Sequence, residues 1–296
     1  MPTRVRAMRT LAVAATVVAA LTLPAASSAG PVSSVVKLPS GVTLHYVVQG
    51  APGGEVVVLL HGAGDSWHSY DLVYPLLPSR YRVYGVTLRG HGWSDHPAQG
   101  YAREDFASDV TAFLAALDLK GVTLVGHSLG SFAAQVVAET DTAKRLKRLV
   151  LIGSGPGGPK DEKAREELRA WFAAVKEPID HVFARDFQAS TAYNPVPAAF
   201  FETMSAEVQR VPAHVWHALG ATLGSAAAVE RLAQIAVPTL IVWGDKDGIV
   251  SRADQDVLTS KIPRARLVVY RDTGHALHWE KPAEFARDLL AFLAER

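Results

Sequence analysis

The chain has 296 residues, 49% of them hydrophobic, enough to bury one large core; a formal net charge of +1 leaves no field for steering nucleic acid or another polyanion. The absence of cysteine excludes disulfides, thiolate metal sites, iron–sulfur clusters and a cysteine nucleophile together. No His-Glu-x-x-His pattern or close His/Asp cluster points to a metal, and Gly153-Ser154-Gly155-Pro156-Gly157 lacks the Gly-Lys-Ser/Thr ending of a phosphate loop, so neither metal nor cofactor is expected.

At the N-terminus, Arg4, Arg6 and Arg9 precede an apolar run from Leu11 to Leu23, and Pro24-Ala25-Ala26-Ser27-Ser28-Ala29 follows. A charged start, an apolar run too short to span a bilayer comfortably and a small-x-small site describe a signal peptide over 1–29, cleaved after Ala29. The mature chain is therefore expected to be secreted, with no stable membrane association. No cysteine is available for lipid attachment, and the arginines are not adjacent as a twin-arginine signal requires.

Val35 to Leu38 and Val42 to Val48 flank Pro39-Ser40-Gly41 and predict an edge hairpin. Glu55 to Leu60 is a buried strand running into His61-Gly62-Ala63-Gly64-Asp65, and a short helix starts near Ser69. Tyr81 to Leu88 is the next strand, closed by Arg89-Gly90-His91-Gly92. Glu104 to Leu117 carries Phe106, Val110, Phe113, Leu114 and Leu117 at helical spacing. Val122 to Val125 is a β-branched strand, and Gly126-His127-Ser128-Leu129-Gly130 leads into a helix with Phe132, Ala133, Val136 and Val137. The basic run Lys144 to Arg148 reads as a solvated helix end before a strand from Arg148 to Ile152.

From Ser154 the alternation stops. Gly155-Pro156-Gly157-Gly158-Pro159 breaks the chain, and helices are expected over Asp161 to Lys176, Ile179 to Asp186, Ala198 to Gln209, Ala213 to Leu223 and Ala226 to Ile235. Strand Thr239 to Trp243, a helix near Ala253 to Leu258, strand Arg266 to Tyr270 and helix Pro282 to Ala294 complete the chain. Repeated strand–helix units predict an α/β fold with a mostly parallel eight-stranded sheet covered on both faces. Its core is 30–153 and 237–296, and a helical cap over 154–236 lies at the sheet's C-terminal edge, where ligands bind in open α/β folds.

Strand, tight turn and helix around Gly126-His127-Ser128-Leu129-Gly130 make a nucleophile elbow, in which glycines give room for the strained turn. A serine hydroxyl needs a base, and the base needs an orienting acceptor. His275, after Thr273-Gly274, follows the last strand and reaches the same sheet edge as Ser128. Gly244-Asp245-Lys246-Asp247 also ends there; Asp247 is the better orienter, because Asp245 directly follows the glycine and ties down the loop. The oxyanion donors expected are the N–H groups of Leu129, opening the helix, and of Ala63, in the glycine-rich loop. His61 is expected to bond loop backbone, and His91 and His127 to sit beside the site. Of the cap aromatics Trp171, Phe172, Phe183, Phe187, Phe200, Phe201 and Trp216, most hold helices together and one or two line an acyl pocket.

With these residues placed, the chain resembles the α/β-hydrolase superfamily over nearly its whole mature length: HGAGDSW at 61, RGHGWSD at 89, GHSLG at 126, WGDKDGIV at 243 and TGHALHWEKPAEF at 273 match in order. The resemblance implies a Ser128–His275–Asp247 triad, His275 rather than His278 as the base, and a helical cap inserted after the sixth strand. The loop HGAGDSWHSY is similar to the epoxide-hydrolase and haloalkane-dehalogenase branch, which carries an aspartate nucleophile. Serine at 128 turns the chemistry toward acyl transfer. Thr87 departs from the aspartate that many relatives carry two residues before the Arg-Gly-x-Gly turn.

The function expected is a secreted serine hydrolase that cleaves a carboxylic ester or related small acyl compound through an acyl-enzyme. A C–C bond hydrolase, a lactonase or a cofactor-free perhydrolase would use the same triad. A hydrolase-like receptor that turns over poorly would differ by failing to turn over simple aryl esters.

Overall fold

The apolar runs pair into one sheet in the computed structural model, which describes residues 30–158, 161–223 and 229–295. The expected signal peptide, Pro159 and the start of the helix expected from Ala226 lie outside the described residues. The strands are β1 (Val32–Lys37), β2 (Thr43–Gln49), β3 (Glu55–Leu60), β4 (Tyr81–Val86), β5 (Val122–His127), β6 (Leu146–Ile152), β7 (Thr239–Gly244) and β8 (Ala265–Tyr270). Their order is β1-β2-β4-β3-β5-β6-β7-β8; β2 is antiparallel to β1 and β4, and every other pairing is parallel. The eight-stranded, mostly parallel α/β fold is the one the sequence predicts.

Strand geometry explains why the central runs are apolar at every position. Side chains alternate between faces, and β3 sends Val58 and Leu60 into one core with Phe106, Val110, Ala133 and Val137, while Val57 and Leu59 join Phe285, Leu289 and Phe292 in another. The first cover comes from α1 (Arg103–Ala116) and α2 (Leu129–Glu139), the second from α9 (Pro282–Ala294). The hairpin turn closes at Gly41, whose φ of 91° is open to glycine and lets the Leu38 N–H reach Val42 O at 2.8 Å.

Between β6 and β7 lie α3 (Glu162–Ala173), α4 (His181–Ala189), α5 (Ala198–Gln209) and α6 (Ala213–Leu223), then a tighter helical stretch, Val229–Gln234. α7 (Arg252–Lys261) precedes β8. A short α8 (Leu277–Glu280), not evident in the sequence, bends the chain toward Pro282. Phe200 and Met204 of α5 pack on Trp279 of α8, which joins the inserted helices to the loop after β8.

The basic run at 144–148 corrects the sequence reading. It is no helix end: β6 begins at Leu146, which is buried, Lys147 points outward, and Arg148 turns back in to pair with Glu55 at 2.8 Å. From Leu146 on the period is two, so Lys147 and Arg148 belong to a strand, and Lys144 and Arg145 to the turn before it. Among the described residues no helix is long and apolar enough to cross a membrane, and no cluster of His, Asp or Glu is arranged to hold a metal.

Candidate active site

β5 delivers Ser128 at its C-terminal end, and the chain turns there in one residue. Ser128 has φ 48° and ψ −115°, a left-handed conformation that a non-glycine residue adopts only when its surroundings force it. Both flanking glycines are required by contact. A Cβ on Gly126 would stand 2.4 Å from Gly130 O, and one on Gly130 would stand 2.6 Å from His61 O and 2.7 Å from Leu60 O. The Gly130 N–H donates to His61 O at 3.0 Å, which ties the start of α2 to the loop after β3.

That tie holds the start of α2 against the loop that carries Ala63. Leu129 is the first residue of α2 and Ala63 lies two residues beyond His61; among the described residues neither N–H donates a hydrogen bond. His61 shapes this loop. Its Nδ1 meets Gly62 O at 2.7 Å, and its Nε2 accepts the Leu88 N–H at 2.9 Å. Burial lowers its pKa to about 4, so the ring is neutral near pH 7.

The loops after β7 and β8 meet on the same edge. His275 Nδ1 is 2.8 Å from Asp247 Oδ2, and both side chains are almost wholly buried. Asp247 Oδ1 accepts the N–H groups of Ile249 and Val250, at 2.8 and 3.0 Å, which fixes the carboxylate plane. Burial works against its charge, but His275 and those two donors outweigh the burial and hold the carboxyl below its ordinary range. Asp245 plays a different part: its Oδ1 accepts the Asp272 N–H at 2.6 Å and closes the neighbouring loop.

Room for the imidazole comes from Gly153, at φ 51°, where a Cβ would stand 2.9 Å from His275 Nδ1. Glu280 of α8 steadies the approach, accepting the N–H groups of Gly274, Tyr193 and Asn194. Ser128 and His275 then line one cavity, and His275 Nε2 is buried with no partner among the described residues. His278 is elsewhere, with its Nε2 3.2 Å from Ser69 Oγ.

The cavity measures about 630 Å³, and Ala63, Phe132, Leu168, Trp171, Phe172, Phe187 and Ile249 are in its lining. Of the inserted aromatics, Trp171, Phe172 and Phe187 face it, whereas Trp216 packs against Phe172, Phe183 and Phe187, and Phe200 against Trp279. Among the described lining residues there is no lysine or arginine, and two are acidic, Asp65 and Asp254.

Asp65 and Gln188 are site residues that sequence reasoning missed. Asp65 is 2% exposed; its Oδ2 accepts Ser69 Oγ at 3.1 Å and its Oδ1 accepts Gln188 Nε2, from α4, at 3.0 Å. Burial opposes a charge on Asp65, yet with His127 beside it and both oxygens accepting hydrogen bonds its carboxyl stays below the ordinary range. His127 Nδ1 lies 3.8 Å from Asp65 Oδ2, beyond hydrogen-bond distance, and burial lowers the pKa of its imidazole. Asp65, directly after the Gly-Ala-Gly turn, could have been flagged from its position; nothing in the sequence pairs it with residue 188. Thr87 finds partners despite its departure from the family pattern: its carbonyl accepts Ser94 Oγ at 2.6 Å and its N–H donates to His45 O at 2.9 Å.

A family model described as alpha/beta hydrolase fold matches residues 55–282. The chain belongs to the α/β-hydrolase family. This hydrolase is 30% identical over 269 residues to a 2-hydroxy-6-oxononadienedioate/2-hydroxy-6-oxononatrienedioate hydrolase of Paraburkholderia xenovorans, covering 86% of the chain and 91% of that relative. It is 29% identical over 283 residues to a non-heme chloroperoxidase of Streptomyces lividans, covering 86% and 96%. Among solved structures, an esterase from Exiguobacterium antarcticum shares the hydrolase's fold with a TM-score of 0.82 at 23% identity, covering 88% of this chain and 99% of that one.

Proposed function

We propose that this hydrolase cleaves small carboxylic esters through an acyl-enzyme on Ser128, with the part of the acyl chain beside the serine apolar. The observation that carries the reading is the Asp247–His275 hydrogen bond of 2.8 Å at the rim of an apolar cavity that Ser128 also lines. His275 takes the Ser128 proton as the oxygen attacks the carbonyl, Asp247 holds the Nδ1–H tautomer, and the N–H groups of Leu129 and Ala63 stabilise the tetrahedral oxyanion. His275 returns the proton to the leaving alcohol, and water repeats the cycle on the acyl-enzyme. Helices α3 to α6 act as the lid that keeps the acyl group out of bulk water.

C–C bond cleavage on the same triad is the second reading, supported by the 30% identical relative whose name describes a dioate substrate. Two carboxylates entering this cavity would meet Asp65 and Asp254 and no cation among the described lining residues, which weighs against a dianion. We also propose export, on the N-terminal signal pattern, with a mature N-terminus at Gly30; intact mass of the secreted protein checks it.

The test is turnover of a panel of aryl esters of graded acyl length beside a dienedioate ketone. Aryl-ester hydrolysis abolished by Ser128→Ala supports the reading. Preferential cleavage of the dioate, or ester hydrolysis untouched in Ser128→Ala, overturns it.

A further inference from the structure

Phe132, one turn of α2 beyond Ser128, lines the catalytic cavity on one side and a second cavity of about 550 Å³ on the other. The same wall runs on through neighbouring pairs: Pro156 faces the second cavity and Gly157 the first, Thr222 the second and Leu223 the first. Arg103, the first residue of α1, lines the second cavity with its guanidinium carbon 4.2 Å from the centre of the Phe132 ring. Its Nε and Nη2 are buried and have no hydrogen-bond partner.

An arginine keeps its proton, so the charge persists, and leaving these two buried N–H groups without an acceptor is costly. The ring face compensates only in part. The cavity's second cation is already taken: Arg231 Nε pairs with Glu139 at 3.2 Å, and its Nη1 lies 4.0 Å from Glu104. Glu104 and Glu139 also line the cavity and act on Arg103 through space, but neither lies within ion-pair distance of its guanidinium, which is left without a direct acceptor beside an apolar surface of Phe132, Val136, Ala218 and Ala221.

We propose that the second cavity binds an apolar carboxylic acid, its carboxylate paired with the Arg103 guanidinium and its chain laid on that surface. The acid is either free in solution or the far end of an acyl chain held at Ser128. Free acid is a ligand of a separate site; the far end of a substrate extends the ester reading given above.

The experiment is calorimetric titration of the Ser128→Ala protein with octanoate and with octanol, which needs no turnover. Octanoate should bind, and Arg103→Met should weaken it about tenfold or more, the effect of losing a charged hydrogen-bond partner, with octanol unchanged. Arg103→Gln replaces the methionine variant if that one melts early. In the active protein, an aryl hemiester of octanedioate is compared with the aryl ester of octanoate. A hemiester advantage in kcat/KM that Arg103→Met removes assigns the carboxylate to the substrate; octanoate binding without that advantage assigns it to a free acid. Octanoate that binds equally to both Arg103 forms, or not at all, together with no hemiester advantage, overturns the proposal. Loss of all ester turnover while Arg103-dependent octanoate binding persists would sink the ester reading alone.

Discussion

Replacing Asp247 with asparagine tests the site through one hydrogen bond. The side-chain oxygen of residue 247 accepts two backbone N–H groups, from Ile249 and Val250 at 2.8 and 3.0 Å, so the amide of Asp247→Asn must keep its carbonyl there. Its NH₂ then faces His275 Nδ1, 2.8 Å away in the native pair. Two donors cannot share that position, so the imidazole must present its Nδ1 lone pair and carry its proton on Nε2. The atom that should take the Ser128 proton is thereby blocked, while the fold loses almost nothing. Loss of the correct tautomer in a serine triad costs about 10⁴ in kcat, or ~5 kcal/mol of barrier. The assay is steady-state hydrolysis of an aryl acetate or butyrate, with circular dichroism melts to show that the variant is folded. An Asp247→Asn protein that melts like wild type and keeps more than about a tenth of kcat would show that Asp247 does not set the His275 tautomer.

Other outcomes follow from single contacts. Gly130→Ala puts a Cβ 2.6 Å from His61 O, so the loop bearing Ala63 must move, and kcat should fall about 10²-fold or more as an oxyanion donor is displaced. Arg89 holds Asp109 through two hydrogen bonds of 2.6 and 2.5 Å with both side chains buried; Arg89→Met strands that carboxylate and should cost about 3–5 kcal/mol in urea unfolding. Burial depresses the pKa of His61 to about 4 and of His91 to about 3. Depressed values mean the unfolded chain takes up protons first, so their effect is nil above pH ~6.5 and destabilising below it, His61 alone reaching roughly 3 kcal/mol by pH ~4. A melting temperature that stays flat between pH ~7.5 and pH ~5 would contradict this assignment.

The parts of the fold legible in the sequence are those where local pattern and tertiary demand coincide. β3, β5 and β7 are apolar at successive positions because both faces of the sheet are covered, and glycines stand where backbones touch around Ser128. Ser128, Asp247 and His275 are legible as a set because β5, β7 and β8 run parallel and end at one edge of the sheet. Patterns failed where charge masked a period, as at 146–148, where Arg148 is buried by its pairing with Glu55. They also failed where a partner is distant in sequence: nothing local tells that Gln188 reaches Asp65 or that Arg103 stacks on Phe132. The inserted helices shift by a few residues at their ends, since their boundaries are fixed by caps such as Asp180, whose side chain accepts the Val182 N–H at 2.6 Å.

In the proposed mechanism Ser128 becomes covalently acylated during turnover. Acid quenching within milliseconds of mixing with a slow aryl ester, followed by intact-mass and peptide analysis, tests it most directly. One acyl group per chain is expected, on the peptide containing Ser128, appearing in a burst and decaying with the steady-state rate. Continued hydrolysis with no adduct, or an adduct on any other residue, would contradict that mechanism.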